Sequence, residues 1–130
     1  MPNIYLEYSA NLADIDLSPL AIFIHQQLVT HCGAKALACK TRLLPISQAL
    51  VGLQADPQQA FLYIKICLMQ GRSDAQKQQL VNNTFHFIQQ QIAPAVKALA
   101  LHCQPRIYIE DMPTTHYHFY PTDWMDEAMS

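Results

Sequence analysis

The residues of this chain best suited to chemistry begin at its second position, where Pro2 directly precedes the alternating segment 3–8. If Met1 is removed, Pro2 carries a secondary amine on a rigid ring, and such an amine can act as a base. A free α-amino group titrates at roughly 7.7 to 8.0, and burial lowers that pKa because it disfavours the charged form. A prolyl amine begins somewhat higher and responds to burial in the same way. Pro2 is therefore a candidate general base.

Three cations are candidates for binding an acidic ligand. Arg72 lies at the predicted start of a helix, where unpaired backbone N–H groups favour a carboxylate. Lys40 and Arg42 are two residues apart on a predicted strand and therefore face the same way. Each also has a purely structural interpretation. Arg72 can pair with Asp74 at the surface, and two cations on an edge strand deter aggregation.

Histidine is the rival source of chemistry. His116 and His118 lie two residues apart, and four more histidines occur elsewhere in the chain. Zinc needs three or four convergent ligands, and neither a C-x-x-C nor an H-E-x-x-H pattern is present. We therefore expect no metal site and interpret the histidines as packing or interface residues. With only three glycines there is no Gly-rich phosphate loop, so a nucleotide cofactor is not expected either.

The composition indicates a single domain that associates with copies of itself. The chain has 130 residues, of which 51% are hydrophobic and 14% charged. An average soluble domain carries roughly 25% charged residues. The length fits one domain with its own hydrophobic core, and the shortage of charge suggests that part of its surface is hidden against other subunits.

Charge and hydropathy argue against several classes of partner. The formal net charge is -2 without a basic stripe, so nucleic acid is not expected. The apolar runs are far shorter than the roughly 20 residues of a membrane span. The start of the chain lacks the features of a secretory signal, and we expect a cytoplasmic protein. Reduced core thiols are the expected state of the scattered cysteines Cys32, Cys39, Cys67 and Cys103.

The elements that must position the candidate residues form a repeated plan. Segment 3–8 alternates like a strand, and Ser18-Pro19 predicts the start of a helix that Gly33 ends. Residues 36–44 are predicted as the next strand, ended by Pro45.

The second copy begins with a β-prone segment at 61–69. Ser73 and Gln76 predict a capping box at the start of a helix that Pro94 must kink or split. The closing strand is predicted at 106–111.

The pattern predicts a single α+β domain over 1–130, with β-α-β repeats at about 2–45 and 60–112 and a C-terminal arm at 113–130. Right-handed crossovers place two helices on one face of a four-stranded mixed sheet. The other face then needs another subunit, and the aromatic arm is expected to pack on a neighbour, as an edge strand in one arrangement. The same order of elements also suits a ferredoxin-like domain, which a monomeric or dimeric solution mass would favour.

The residues also carry a family resemblance. Segment 71–77, Gly-Arg-Ser-Asp-Ala-Gln-Lys, resembles the Gly-Arg-Ser motif of 4-oxalocrotonate tautomerase and its larger relatives. With Met-Pro at the start and a doubled β-α-β unit, the whole chain resembles the 5-carboxymethyl-2-hydroxymuconate isomerase family of the tautomerase superfamily. Segments 6–9, 40–42 and 109–112 add to the agreement.

The resemblance implies a cofactor-independent homotrimer in which Pro2 moves a proton in an unsaturated di- or tricarboxylate. The small-molecule substrate is then a ring-cleavage product of an aromatic acid, bound by Arg72, Arg42 and Lys40. The family pattern has arginine where Lys40 stands, and lysine lacks the bidentate fork. Arg106 is a weaker candidate, at a place where smaller tautomerases carry a functional arginine, and a solvated strand end is the preferred interpretation.

A non-catalytic trimer that binds a ligand or partner is the competing hypothesis. Lys40 favours it, and so does the presence of Met1 in the encoded chain, because an acylated proline nitrogen is an amide without a basic lone pair.

Overall fold

The first half of the chain is a β-α-β unit. The computed structural model describes residues 2–124, so Met1 and residues 125–130 lie outside the described part. Strand β1 (Asn3–Ser9) is followed by helix α1 (Ser18–Cys32) and strand β2 (Lys40–Ile46), with short 3-10 turns at Ala10–Leu12 and Ala36–Ala38. Ile4 and Leu6 of β1 are buried and Tyr8 packs against the core, on the face that the sequence pattern predicts, although Ser9 is buried as well.

The ends of α1 are set by its flanking residues. The predicted N-cap, Ser18, is instead the first helical residue, and the backbone N–H of Ser18 donates to Asp16 Oδ1 at 2.9 Å. The C-terminal end agrees with the prediction. Gly33 has a φ of 70°, a left-handed conformation that glycine adopts without a steric penalty.

The second half repeats the plan. Its elements are strand β3 (Gln59–Ala60), strand β4 (Leu62–Met69), helix α2 (Asp74–Phe87), a π-helical segment (Ile88–Ile92), helix α3 (Ala93–Ala98), strand β5 (His102–Cys103) and strand β6 (Arg106–Met112). The short parallel pair of β3 and β5 was not predicted.

Helix α2 begins and is interrupted where the sequence predicts. The Gln76 N–H donates to Ser73 Oγ at 3.1 Å and the Ser73 N–H donates to Gln76 Oε1 at 2.8 Å, which confirms the capping box. The predicted split at Pro94 is also confirmed, since a π-helical segment separates α2 from α3. Proline has no N–H to donate and its ring clashes with the preceding turn, and a widened turn relieves both problems.

The main sheet has the order β2-β1-β4-β6. β1 is parallel to β2 and antiparallel to β4, and β4 is parallel to β6. The predicted α+β architecture, with a four-stranded mixed sheet and two helices on one face, is confirmed. Its core is formed by fully buried side chains of the sheet and of the helices, namely Ile4, Leu6, Leu20, Ile24, Leu28, Ile64, Ile66, Leu68 and Leu80.

Strand β2 corrects one prediction. It begins at Lys40 rather than at residue 36, because Ala36–Ala38 forms a 3-10 turn. It also continues through Pro45, which is paired with Tyr8 in the register. β2 is an edge strand, and an edge tolerates proline because half of its backbone N–H groups point away from the sheet.

The face of the sheet opposite the helices remains open in the single chain. Tyr108 of β6 lies on it and is 49% exposed. The arm at 113–124 forms no strand within the described residues, and its large side chains are exposed, namely Phe119, Tyr120 and Trp124. The arm is expected to pack on a neighbouring subunit, so its pairing there stays a prediction, and residues 125–130 lie outside the described part. No helix within 2–124 is both long and apolar enough to cross a bilayer.

The cysteines occupy the predicted environment. Within the described part of the chain, Cys32, Cys39 and Cys67 are buried, Cys103 is half-buried, and all four are free thiols. Burial raises the pKa of each of the four. For Cys32, the nearby Arg72 guanidinium partly opposes this rise. They act as small apolar side chains, as their neighbours in the sequence predict.

His25 links α1 to β2 and makes stability depend on pH. Its Nε2 lies 2.6 Å from Thr41 Oγ1, and burial lowers its pKa below the ordinary value of 6.5. The His25 imidazole of the unfolded chain therefore binds a proton more readily than that of the folded chain. The contribution of His25 to stability is fully present above pH 6.5 and is lost as the pH falls through the lowered pKa.

We expect thermal melts recorded from pH 7.5 to pH 5 to show a steeper loss of Tm for the wild type than for His25→Gln. His86→Gln, at an exposed position of α2, is the matched control and should follow the wild type. Equal pH slopes for all three proteins would show that His25 does not contribute.

Candidate active site

Pro2 lies at the start of a central strand, between β2 and β4. Its ring is fully buried, and its carbonyl accepts a hydrogen bond of 3.2 Å from the backbone N–H of Lys40. On the other side, Asn3 is in register with Cys67, near the end of β4. Backbone pairing on both sides therefore fixes the position of the candidate base.

Arg72 connects two elements at this same end of the sheet. Its Nε donates to the carbonyl of Cys32, the last residue of α1, and its Nη1 donates to the carbonyl of Met69, the last residue of β4, both at 3.1 Å. The surface pair with Asp74 is not among the ion pairs within 2–124. A guanidinium has five N–H donors, so Arg72 holds these two carbonyls and keeps donors for a ligand.

Lys40 and Arg42 lie on the open face of the sheet, as their spacing predicts. In the register Lys40 pairs with Asn3 and Arg42 with Tyr5. Lys40 Nζ donates to the carbonyl of Leu37 at 3.0 Å, and both cations are exposed. Because β2 is an edge strand, the alternative role of deterring aggregation is also compatible with this geometry.

Two side chains contact Arg42, and a third contacts one of those two. Its Nη1 donates to Asn3 Oδ1 at 2.8 Å, and its Cζ lies 4.9 Å from the centre of the Tyr5 ring. Asn3 Nδ2 in turn donates to the hydroxyl of Tyr117 at 3.3 Å. Sequence reasoning missed all three contacts. The register of β1 against β2 could have revealed Asn3 and Tyr5, whereas Tyr117 lies in an arm without periodicity.

Two acidic residues near this end of the sheet pair with other cations. Glu110 pairs with Lys65 at 3.4 Å and Asp111 pairs with Lys77 at 2.6 Å. Within residues 2–124 no ion pair involves the three candidate cations, Lys40, Arg42 and Arg72. Three cations without an ion-pair partner in that range, toward the end of the sheet where the chain begins, suit a ligand with more than one carboxylate.

Arg106 lies at the other end of the sheet. It opens β6 in register with Tyr63, whereas Asn3 is in register with Cys67. Since Pro2 lies one residue beyond Asn3, the offset is five residues, or roughly 17 Å along the strands at about 3.3 Å per residue. Arg106 is exposed, so in one chain it is the solvated strand end that the sequence favoured.

A cavity of about 650 Å³ also lies at that far end, and its lining includes Arg106, Leu62 and Ile88 but neither Pro2 nor any of the three candidate cations.

The two histidines of the arm make local contacts. The His116 N–H donates to the Pro113 carbonyl at 2.9 Å, and His118 Nε2 lies 3.1 Å from the Thr115 carbonyl oxygen. Across 2–124, no group of three histidine, cysteine or acidic side chains is arranged to hold a metal ion.

Comparison with known proteins gives one family and one fold. Residues 2–114 match the model of the 5-carboxymethyl-2-hydroxymuconate isomerase family, in agreement with the resemblance drawn from the Gly-Arg-Ser motif. The match includes Pro2 and the three candidate cations and ends before Tyr117. No curated protein sequence matches.

Solved structures share the fold at low sequence identity. A 5-carboxymethyl-2-hydroxymuconate isomerase from Deinococcus radiodurans R1 superposes with a TM-score of 0.79 at 16% identity, over 98% of this chain and 93% of the other. A 5-carboxymethyl-2-hydroxymuconate delta-isomerase gives 0.75 at 14% identity, over 100% and 93%. A fused 4-OT described as an asymmetric trimer gives 0.61 at 22% identity, over 95% and 98%.

Proposed function

This chain belongs to the 5-carboxymethyl-2-hydroxymuconate isomerase family, and from that membership we propose that it moves a proton within an unsaturated di- or tricarboxylate such as 5-carboxymethyl-2-hydroxymuconate. Family and fold together make it an isomerase of the tautomerase superfamily. Pro2 is the proposed general base, which requires that Met1 has been removed.

The proposed reaction is a keto-enol shift. The neutral amine of Pro2 takes the proton of the enol hydroxyl, and the electron pair of that O–H bond enters the conjugated system as a dienolate. The prolinium then returns the proton at the other end of the system, so the amine is restored and no atoms are gained or lost. A positioned base and nearby cations are sufficient for this chemistry, and no metal or cofactor takes part.

One observation carries the proposal. Pro2 is buried and its carbonyl accepts from the Lys40 backbone, at an end of the sheet where Lys40, Arg42 and Arg72 have no acidic partner within the described residues. Burial lowers the pKa of an amine and so keeps it neutral and basic near neutral pH. The cations bind the substrate carboxylates and stabilise the dienolate.

The proposed assembly is a homotrimer in the cytoplasm. The open face of the sheet needs cover, and a site that one chain leaves open is enclosed when subunits meet there.

The test combines mass, assembly and turnover measurements on one preparation. We expect an intact mass short by one methionine residue, a trimeric solution mass, and a change in the ultraviolet absorbance of 5-carboxymethyl-2-hydroxymuconate when the protein is added. A processed trimer that leaves this absorbance unchanged would identify the non-catalytic binding protein instead. A full-length mass would remove Pro2 as the base, because its nitrogen would then be an amide.

A further inference from the structure

We propose that Asn3 and Tyr117 complete a carboxylate-binding site around Arg42, with Asn3 as a positioning residue and the Tyr117 hydroxyl as a second donor to the same carboxylate. The inference deepens the proposed function, on which it rests for the identity of the carboxylate as one end of the substrate. It adds a contact from the C-terminal arm, beyond the residues that match the family.

The orientation of the Asn3 amide follows from what surrounds it. A guanidinium only donates hydrogen bonds, so the atom of Asn3 that faces Arg42 at 2.8 Å must be the carbonyl oxygen Oδ1. The amide nitrogen Nδ2 then points to the Tyr117 oxygen, 3.3 Å away. The two neighbours therefore fix which end of the Asn3 side-chain amide is oxygen and which is nitrogen.

The same logic fixes the role of the tyrosine hydroxyl. Its oxygen accepts from Asn3, so its own proton must point elsewhere. Within residues 2–124 that proton has no acceptor. Tyr117 is half-buried, and its contact with Asn3 places the hydroxyl near the open face of the sheet.

Arg42 has two side-chain contacts and N–H donors to spare. Asn3 takes one of its five N–H groups, and the Tyr5 ring at 4.9 Å supports the guanidinium. The free N–H groups and the tyrosine O–H are all donors. A carboxylate accepts at two oxygens, and it is the ligand chemistry that matches such a set.

Binding of adipate tests the inference without requiring turnover, because this saturated dicarboxylate cannot isomerise. By calorimetry we expect Asn3→Ala and Tyr117→Phe each to weaken adipate binding by about 3–10-fold, the range for loss of one hydrogen bond. In an Arg42→Ala background Asn3→Ala should have almost no further effect, because its action passes through Arg42.

Asn3→Asp separates positioning of the guanidinium from simple structural support. An aspartate still accepts from Arg42, so a merely structural role predicts near-normal binding. Our inference predicts weaker adipate binding than in Asn3→Ala, because the new carboxylate neutralises the guanidinium and competes with the ligand. In steady-state assays KM should rise for Tyr117→Phe while kcat stays within about twofold.

Two control variants test whether any asparagine or tyrosine substitution weakens adipate binding. Asn82→Ala, at an exposed position of α2, and Tyr8→Phe, next to the core, should bind adipate like the wild type. Equal affinities in the wild type, Asn3→Ala and Tyr117→Phe would overturn the inference, as would no binding of adipate by the wild type. If the wild type proves inactive as an isomerase while Asn3→Ala still weakens adipate binding only when Arg42 is present, the inference stands and the proposed function is wrong.

Discussion

Replacing Pro2 with alanine is expected to lower kcat about 100-fold or more in protein from which Met1 has been removed, within the range typical of a lost general base. Alanine leaves a primary amine at the same place in the chain. That amine has no ring to hold its lone pair in one direction, so the precise alignment for proton transfer is lost. Continuous ultraviolet assays with 5-carboxymethyl-2-hydroxymuconate measure this fall in kcat.

The pH profile gives an independent readout of the same group. The acidic limb of kcat/KM reports the free base, and it should move in Pro2→Ala because a different amine titrates. Pro19→Ala is the matched control, since Pro19 is exposed at the start of α1 and should retain the wild-type profile. A Pro2→Ala variant with activity within about threefold of the wild type contradicts the role of Pro2 as base.

Replacing Arg72 with alanine is expected to reduce both stability and substrate affinity. The variant leaves the carbonyls of Cys32 and Met69 without their present donor, which costs about 1–3 kcal/mol of unfolding free energy for partly buried groups. The loss of its positive charge should also raise KM by about 10-fold or more, since hydrogen bonds to charged groups are among the stronger ones. Urea melts and steady-state kinetics measure the two effects separately.

Arg72→Lys separates the geometry of the side chain from its charge. Lysine is a point charge without the planar fork, and it cannot hold both carbonyls and a carboxylate together. We expect KM to recover in part while the unfolding free energy stays below that of the wild type. Lys97→Ala, at an exposed position of α3, is the control for loss of a cation. If Arg72→Ala has the unfolding free energy and the KM of the wild type, Arg72 neither stabilises the fold nor binds the substrate.

Local chemistry explains which parts of the fold could be predicted. The capping box at Ser73 and Gln76, the left-handed Gly33 and the interruption before Pro94 all depend on neighbours within four residues. The beginning of β2 does not. Residues 36–39 have the apolar composition of a strand, yet the chain needs a 3-10 turn there to bring Lys40 beside Pro2, and tertiary pairing outweighed local preference.

The candidate site was predictable in its cations but not in their surroundings. Strand alternation was enough to put Lys40 and Arg42 on one face. It could not show that Arg72 holds the ends of α1 and β4, because those carbonyls come from distant parts of the chain. It could not reveal Tyr117 either, since a contact spanning 114 residues leaves no periodic trace in the sequence.

The central position of β1 has a consequence for how the molecule opens. An edge strand can detach while the rest of a sheet persists, but β1 is hydrogen-bonded to β2 on one side and to β4 on the other. Releasing it breaks both ladders, so its amides should exchange with solvent only through the largest opening events of the protein. The residue proposed as the base is thus attached to the part of the backbone expected to exchange most slowly, whereas Tyr117 lies in a segment outside the sheet.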